Sequence, residues 1–338
     1  LEGEVEASLL AAALAALVGR HESLRTRLET AAGEPRQVID PPTPFEVERL
    51  DLAGPASGQR SPAVAEVLAA WAERPFDLGR GPVFRALLCD LAEDDRILVL
   101  AFHHTAGDGW SLSIIGRELA QLYLARGDVG AAGLPALPVQ YADFADWERR
   151  IAEGGRLEES LRYWKEQLGG GLPVLELPTD RPRPARKRYV GATTARVLPA
   201  PLREAVAEAS TLAGVTPFMF LLAAFDVLLS RLSGQVDFAV GSPISGRNAT
   251  EVEGLIGCFV NTLVLRTPIR AGDTFEGLLA GVRETCLGAY AHQDVPFERL
   301  VDVVNPERTT RHTPLFQVML VQHEAAPIPA FPGVRVTP

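Results

Sequence analysis

Residues 97–123 have the sequence ILVLAFHHTAGDGWSLSIIGRELAQLY. The apolar run Ile97–Phe102 predicts a buried strand. Residues 112–123 predict a helix, because their leucine and isoleucine side chains recur on one helical face. Two histidines therefore follow the end of a strand, and Asp108 lies in the turn that starts a helix. Strand-end loops commonly carry catalytic groups, since a rigid element holds them in place, so this turn is the first candidate for a functional site.

The residue types in the turn allow more than one chemistry. A histidine exchanges a proton near neutral pH, so His104 or His103 could act as a base beside a group that must lose a proton. Two histidines and Asp108 are also metal ligands, but adjacent strand residues point to opposite faces, so the pair is poorly placed to share one ion and we expect no metal. A capped turn with two incidental histidines is the third interpretation. Spacing alone does not decide between the base and the capped turn.

Length and composition limit the possible functions. At 338 residues the chain is too long for one ordinary core, so we expect two lobes, and its 47% hydrophobic content is enough to build them. A formal net charge of -10 argues against nucleic acid as a partner. No apolar run is long enough to cross a bilayer and no secretory signal opens the chain, so no membrane is expected. Three cysteines without paired spacing predict reduced thiols in a cytoplasmic protein.

Periodicity and capping signals predict helices and strands in both halves of the chain. The predicted helices are 6–18, 61–73, 112–123, 140–150, 156–168, 216–232, 274–292 and 297–304. The predicted strands are 24–30, 36–39, 83–91, 96–104, 193–198, 236–240, 259–269 and 315–321. Because both halves mix the two kinds of element, we expect an α/β architecture of two sheet-and-helix lobes.

A proline-rich, basic stretch marks the expected boundary between the lobes. Residues 177–188 read LPTDRPRPARKR, and repeated prolines cannot continue a helix or a sheet ladder. The prediction is an N-terminal lobe over 1–176 that carries the histidine pair, a crossover over 177–190, and a C-terminal lobe over 191–338.

Six motifs identify a family resemblance. The motifs are RHESLRT (20–26), HHTAGDGWS (103–111), YADFADW (141–147), IGCFVNT (256–262), HQDVPFE (292–298) and RHTPLF (311–316). In this order they resemble the motifs of nonribosomal peptide synthetase condensation domains, in the chloramphenicol-acetyltransferase-like superfamily. One motif alone would be weak, but six in order make the match specific. HHTAGDGWS matches the family's active-site signature.

The resemblance implies a fold and a reaction. The fold is a V-shaped pseudo-dimer of two chloramphenicol-acetyltransferase-like lobes with a central tunnel. The reaction forms an amide (peptide) bond between a donor acyl or peptidyl thioester and the amine of an acceptor aminoacyl thioester. Donor and acceptor peptidyl carrier domains would deliver both on phosphopantetheine arms, so no cofactor is expected to bind directly. Adenylation and other synthetase domains of the same assembly line are the remaining expected partners.

Two departures from the family pattern lie at the ends of the chain. It opens in a predicted helix, without the family's first motif and first strand, and it stops soon after the last motif. We therefore expect a sequence truncated at both ends, with an incomplete C-terminal lobe.

The resemblance also assigns roles to residues of the site. His104 would accept the amine proton or hold the amine in place, His103 would turn into the fold, and Gly109 would leave room for substrate. Asp108 would hold the loop, either through Arg247 of the second lobe or as the N-cap of the following helix. The remaining expected site residues are Arg20 and Arg25 as structural support, and Trp110, Ser111, Asn261 and Thr262 as the lining of the tunnel.

Ordinary structural roles are expected for several conspicuous residues. Trp71, Trp147 and Trp164 are predicted core residues. Cys258 is predicted to pack as a small side chain, because no histidine lies near it in the sequence. His292 ends a predicted helix, and we expect it to take part in a cap and turn rather than in catalysis.

Other functions of the same motifs stay open. The acceptor could be a soluble amine or alcohol, or the chain could be a non-catalytic docking module. The DGWS ending resembles condensation domains that take an L-configured donor. The cyclising subfamily replaces the histidine pair with aspartate, so the pair in this chain argues against that subfamily. Epimerisation domains share HHxxxDG, but the PFE and TPLF motifs of this chain fit condensation domains better.

Overall fold

The computed structural model describes residues 1–53, 62–182, 184, 191–270, 272–304, 312–323 and 330–337. The chain divides into two compact units, each with its own hydrophobic core. The first unit comprises Leu1–Arg150, Arg247–Phe259 and Glu324–Pro338. The second unit comprises Ile151–Gly246 and Val260–His323.

Helices and strands are mixed along the described residues. The helices are α1 (Ala7–Arg20), α2 (Pro62–Ala72), α3 (Gly109–Leu124), α4 (Tyr141–Glu153), α5 (Glu158–Leu168), α6 (Ala200–Leu212), α7 (Pro217–Ser233), α8 (Thr250–Glu253), α9 (Phe275–Ala291) and α10 (Phe297–Val304). The strands are β1 (Thr26–Ala31), β2 (Glu34–Ile39), β3 (Val47–Asp51), β4 (Phe84–Asp90), β5 (Arg96–Phe102), β6 (Ala239–Ile244), β7 (Asn261–Arg266) and β8 (Val318–Met319).

The sheet of the first unit explains the apolar run before the histidines. Its strand order is β3-β4-β5, with β4 parallel to β3 and antiparallel to β5, and β1 and β2 form a separate hairpin. Leu98 and Leu100 of β5 join the cluster formed with α1 and α3, whereas Ile97 and Val99 join the cluster around Trp71 of α2. Both faces of β5 therefore contact apolar neighbours, which accounts for a sequence that is apolar instead of alternating. All seven residues of β5 are half-buried, so the strand is less buried than the apolar run predicts.

Helices α1 and α3 pack together in the core of the first unit. Fully buried leucines of α1 contribute to this core, and so do Ile115 and Leu119 of α3. Of the apolar face that the spacing predicts for α3, Ile115, Leu119 and Leu122 are buried, whereas Leu112 is 50% exposed. The packing of this face fixes the start of α3, where the histidine-bearing turn ends.

The second unit has a sheet of order β7-β6-β8, with β6 antiparallel to β7 and parallel to β8. Helices α7 and α9 pack together in its core. Their first turns are capped by Thr216 and Thr274, whose side-chain oxygens each accept a backbone hydrogen bond. Within the described ranges, no single helix has the length and hydropathy to span a membrane, although the bent pair α6 and α7 together meets those limits by length and composition.

The predicted α/β class is confirmed, and most predicted elements are present. The predicted strands 83–91 and 96–104 correspond to β4 and β5, which pair antiparallel. The predicted strand 193–198 is wrong: these residues form no strand, and Val197 and Leu198 are exposed because no neighbouring strand covers them. The predicted cap of α2, Ser61, lies outside the described residues.

The grouping of segments differs from the predicted lobes 1–176 and 191–338. The described residues of the predicted crossover 177–190 lie within the second unit, and its residues 183 and 185–190 lie outside the described part. Arg247–Phe259 belongs to the first unit, where Ile256 joins the α1–α3 core. The C-terminal segment also belongs there, since Glu2 N donates to Arg335 O at 2.9 Å. Contacts between segments so far apart in sequence cannot be predicted from local composition.

Candidate active site

Backbone hydrogen bonds hold the turn after β5. His103 N donates to Val83 O at 2.9 Å, which extends the pairing of β4 with β5, and Ala106 N donates to His103 O at 2.9 Å. Gly107 is buried, and an added Cβ at this position would lie 2.9 Å from the Phe102 ring. A larger side chain would push the turn away from the strand, so the path of the turn depends on glycine at 107.

His103 is half-buried and held within the fold. Its Nδ1 accepts a hydrogen bond from Thr105 N at 3.2 Å and lies 3.0 Å from Thr105 Oγ1. Its ring meets the Phe76 ring edge-on, with 6.1 Å between centroids. Because a backbone N–H donates to Nδ1, neutral His103 carries its ring hydrogen on Nε2. This position agrees with the expectation that His103 turns into the fold.

His104 is exposed and is held through one ring nitrogen. Its Nδ1 lies 3.4 Å from Cys258 Sγ, a pair separated by 154 residues in sequence. Among the described residues, Nε2 has no hydrogen-bond partner. Sequence reasoning missed the contact because it judged Cys258 only by its neighbours along the chain. The imidazole therefore has one nitrogen in contact with the protein and one directed to no described protein group.

Asp108 is a buried carboxylate, 4% exposed, at the N-cap of α3. Its Oδ1 accepts hydrogen bonds from Ser111 N at 2.9 Å and Ser111 Oγ at 2.8 Å, and Asp108 N donates to Ser111 Oγ at 3.2 Å. Its Oδ2 accepts from Phe259 N at 3.1 Å. These bonds form a reciprocal cap and supply the partners that a buried carboxylate needs.

Arg247 is the counter-ion of this carboxylate. Its Nη2 donates to Asp108 Oδ1 at 3.2 Å, and its Nη1 donates to Val252 O at 2.6 Å and Leu255 O at 2.8 Å. The guanidinium also lies 4.0 Å from the centroid of the Phe259 ring. Burial lowers the pKa of Arg247, and the Asp108 carboxylate opposes that shift. The pair joins the start of α3 to the segment 252–259.

Both roles expected of Asp108 are therefore present together, since it caps α3 and pairs with Arg247. Two expectations need correction. Arg247 lies in the first unit with Asp108, not in a second lobe, because Arg247–Phe259 packs with the first unit. Ser111, expected to line the tunnel, is 0% exposed. Its hydroxyl is committed to the cap and accepts from Gly257 N at 3.2 Å.

The segment that carries Cys258 runs close against α4. Tyr141 Oη donates to Cys258 O at 2.9 Å, and the Tyr141 ring meets the Phe259 ring edge-on at 5.1 Å between centroids. A Cβ at Gly257 would overlap the Tyr141 ring. Burial raises the pKa of Tyr141, so its hydroxyl remains a donor at neutral pH. The glycine of IGCFVNT is thus required by the close approach of the backbone to Tyr141.

A second buried network links α1 to α3. Glu118 Oε2 accepts hydrogen bonds from Arg20 Nε at 3.0 Å and His21 Nε2 at 2.8 Å, and His21 Nδ1 accepts from Ile256 N at 3.4 Å. Burial acts to raise the pKa of Glu118, but the contacts with His21 and Arg20 lower it overall. Arg20 thus lies where structural support was expected. Glu118 was missed, although a glutamate on the apolar face of α3 is itself a signal of a buried partner.

The other expected site residues of the first unit are Arg25, Gly109 and Trp110. Arg25 donates from Nη1 to Asp40 O at 2.5 Å, which ties the short helix Glu22–Arg25 to the end of β2. Gly109 is the first residue of α3 and is exposed. Trp110 is exposed, and its indole N–H donates to Glu253 O at 3.0 Å.

Asn261 and Thr262 begin β7 in the second unit. Asn261 Nδ2 donates to Gln293 O at 2.9 Å and Val295 O at 2.8 Å, and its Oδ1 accepts from Phe297 N at 3.0 Å. The side chain therefore clamps the loop between α9 and α10. Asn261 and Thr262 are half-buried, and their expected place in the lining of a tunnel stays a prediction.

Of the tryptophans, Trp71 and Trp164 are buried as predicted, whereas the prediction for Trp147 is wrong. Trp147 is 56% exposed on α4, where its ring lies 5.7 Å from that of Phe144. His292 ends α9, and its carbonyl accepts a hydrogen bond from Trp164 Nε1 at 2.9 Å. This is the cap-and-turn position expected of His292.

The geometry supports proton transfer or hydrogen bonding at His104. An exposed imidazole follows a strand, in the same turn as Asp108, whose carboxylate oxygens are both bonded. Of its counter-ion Arg247, Nη1 and Nη2 are bonded, whereas the buried Nε has no hydrogen-bond partner among the described residues. Across the described ranges, no group of three or more His, Cys, Asp or Glu side chains could hold a metal ion. His104 is the exposed histidine of the turn, so its side chain is accessible to a reacting molecule.

The chain belongs to the condensation-domain family, whose model matches residues 1–325. Condensation domains of nonribosomal peptide synthetases catalyse peptide-bond formation, an acyltransferase-type reaction. The relatives include the phosphinothricin tripeptide synthetase PhsC of Streptomyces viridochromogenes, 47% identical over 313 residues. That match covers 92% of this chain and 29% of the synthetase, so the chain spans less than a third of this relative.

Solved structures agree with this assignment. The X-domain from teicoplanin biosynthesis is 30% identical, with a TM-score of 0.85, over 94% of this chain and 70% of that chain. The condensation domain of the Monacolin K polyketide synthase MokA is 27% identical, with a TM-score of 0.80, over 94% of this chain and 73% of that chain.

Proposed function

We propose that this chain forms an amide bond between two carrier-bound substrates. The donor is an acyl or peptidyl thioester, and the acceptor is the free amine of an aminoacyl thioester. The observation that carries the proposal is the exposed His104, presented at the end of β5 by a turn that the buried Asp108–Arg247 pair holds. Family membership over residues 1–325 supports the reaction class.

The proposed reaction needs little covalent chemistry from the protein. The amine nitrogen attacks the carbonyl carbon of the thioester, a C–N bond forms, and the C–S bond breaks. The proton lost by the amine passes to the departing pantetheine sulfur, directly or through His104. Because a thioester is an activated acyl group, holding the amine and the carbonyl together supplies a large part of the rate. His104 serves at the reacting amine, where it accepts the proton or holds the nitrogen in place.

The first turn of α3 follows His104 closely in sequence, and we assign it a second role in the reaction. The Asp108 carboxylate caps this helix through Ser111 N, so we assign the negative charge that develops on the carbonyl oxygen during attack to the N–H groups ahead of Ser111. Gly109 is the exposed first residue of that helix, and we assign it to the close approach of substrate.

The partners follow from the substrates. Donor and acceptor carrier domains bring both thioesters on phosphopantetheine arms, so that group arrives with the carriers. Adenylation domains that load those carriers are the remaining proposed partners. We place the reaction in the cytoplasm. The tripeptide synthetase among the relatives supports the carrier and adenylation partners.

The test is reconstitution with two loaded carriers. The product amide is measured by mass spectrometry for wild type, His104→Ala and the matched control His323→Ala, which removes an exposed histidine outside the candidate site. We expect product from wild type and His323→Ala, and a loss of at least a hundredfold for His104→Ala. An unchanged rate in His104→Ala would refute the assignment of His104.

The same assay addresses the two other functions. Turnover with a free amine or alcohol in place of the acceptor carrier identifies an acyltransferase that uses soluble acceptors. Binding of both carriers without product from wild type identifies a docking module.

A further inference from the structure

The thiol of Cys258 touches the proposed reacting side chain. Cys258 Sγ lies 3.4 Å from His104 Nδ1, within the range of a hydrogen bond to sulfur. Each partner can donate or accept, because the thiol and the neutral imidazole both have a hydrogen and a lone pair. Alternation along the chain does not restrain His104, since the residue lies in the turn beyond β5. Among the described residues, Cys258 is therefore the one whose side chain holds a ring nitrogen of His104.

The backbone that carries the thiol is itself tightly held. Tyr141 Oη donates to Cys258 O at 2.9 Å, and Phe259 N donates to Asp108 Oδ2 at 3.1 Å. On the other side, Gly257 N donates to Ser111 Oγ at 3.2 Å. Three consecutive residues are thus bonded to α3, its cap and α4. The thiol is presented from a fixed frame, as a group that orients another side chain must be.

We propose that Cys258 is a positioning residue for His104. It holds the imidazole through Nδ1 and leaves Nε2 as the nitrogen that meets the reacting amine. The proposal rests on the proposed function, because it assigns Nε2 to the amine of that reaction. The proposal gives two neighbouring residues of the IGCFVNT motif different roles. Gly257 is needed because the backbone packs closely against Tyr141, whereas Cys258 orients the side chain of His104.

A set of substitutions at one position separates hydrogen bonding from bulk. Cys258→Ser keeps a group that can donate and accept, Cys258→Val keeps the volume without a polar atom, and Cys258→Ala keeps neither. We expect kcat to fall about fivefold in the alanine and valine variants, the effect of one neutral hydrogen bond, with KM for both carriers unchanged. We expect the serine variant to remain within about twofold of wild type. If valine preserves the rate and serine does not, the role is packing and the proposal is wrong.

A second measurement asks whether the effect passes through His104. In the His104→Ala background, Cys258→Ala should cause no further loss of the residual rate, because a positioning residue acts only through the side chain it positions. Nitrogen NMR of ¹⁵N-labelled histidine gives a direct readout, since the Nδ1 resonance of His104 should shift in the alanine and valine variants and stay near wild type in the serine variant. Thermal unfolding of each variant checks that the fold is retained.

The outcomes distinguish this proposal from the proposed function. If His104→Ala retains the wild-type rate, the assignment of His104 fails and the positioning role fails with it. If His104→Ala is inactive while Cys258→Ala and Cys258→Val keep the wild-type kcat, only the positioning role fails. A fivefold loss that persists in the His104→Ala background would show a structural role and would also overturn the proposal.

Discussion

Asp226 is a carboxylic acid in the apolar core of the second unit. Its burial can be tested quantitatively through the pH dependence of the free energy of unfolding. It is 3% exposed and shares the buried face of α7 with Leu222 and Leu229. Burial raises the pKa of Asp226 from 3.8 to about 8. Burial and then the charge of Asp226 raise the pKa of Cys286 to about 12. At neutral pH both groups are therefore uncharged in the folded protein.

The raised pKa of Asp226 makes stability depend on pH in a definite direction. The folded state keeps the proton up to about pH 8, whereas the unfolded state loses it near pH 4. Between these values the unfolded state binds fewer protons, so the free energy of unfolding falls as pH rises, by about 1.4 kcal/mol per unit. The loss accumulates to about 4 kcal/mol at pH 7.

Asp226→Asn removes the titration and nearly preserves the shape of the side chain. Urea unfolding of wild type and Asp226→Asn, followed by tryptophan fluorescence, is measured from pH 4 to pH 8. We expect the unfolding free energy of the variant minus that of wild type to rise by about 4 kcal/mol between pH 4 and pH 7, because the contributions of all other groups cancel. Asp94→Asn is the control, since Asp94 is exposed.

The result that would refute this reasoning is a constant difference. If Asp226→Asn and wild type differ by the same amount at every pH from 4 to 8, Asp226 ionises in the folded state as readily as in water. The carboxyl would then have a partner or solvent contact that offsets its burial. An equal slope for Asp94→Asn would also refute it, because the slope would not depend on burial.

Two further substitutions test the frame around the candidate site by urea unfolding. Arg247→Met should cost about 3–5 kcal/mol, because it leaves the Asp108 charge buried without a counter-ion, and a loss below about 1 kcal/mol would contradict a buried ion pair. Gly257→Ala should cost about 1–3 kcal/mol, because its Cβ overlaps the Tyr141 ring. Gly191→Ala is the control, since a Cβ there meets no atom within 4 Å, and an equal loss in both glycine variants would refute the packing argument.

Local pattern predicted the part of the fold that bears the histidines. The apolar run of β5, the turn and the amphipathic α3 are each recognisable within about ten residues, and Asp108 is a common N-cap type. The strand predicted for 193–198 was wrong because periodicity does not reveal whether a partner strand exists. Strand β3 has charged residues between its apolar positions, so the same reasoning passed over it.

Contacts that join distant segments could not be predicted from local pattern. A buried carboxylate requires a partner, which predicts a cation for Asp108, and Arg247 was named as that cation among the roles that the family resemblance implies. No such requirement pointed from His104 to Cys258, because neither an exposed imidazole nor a half-buried thiol requires a charged partner. Glu118 and His21 lie between these cases: a glutamate on an apolar helix face demands a partner, but several cationic residues could have supplied it.

The structure also changes how a loss of activity in Asp108 variants should be interpreted. A carboxylate has two oxygens and about four sites for hydrogen bonds, so capping α3 and pairing with Arg247 are compatible roles. Because Oδ2 also binds Phe259 N, one substitution at Asp108 disturbs α3, Arg247 and the backbone next to Cys258. Inactivity of such a variant is the expected result of a broken frame, and it is no argument that Asp108 carries a proton. His104 is exposed and can be removed without leaving a buried charge unpaired, so the chemical role of the turn has to be measured there.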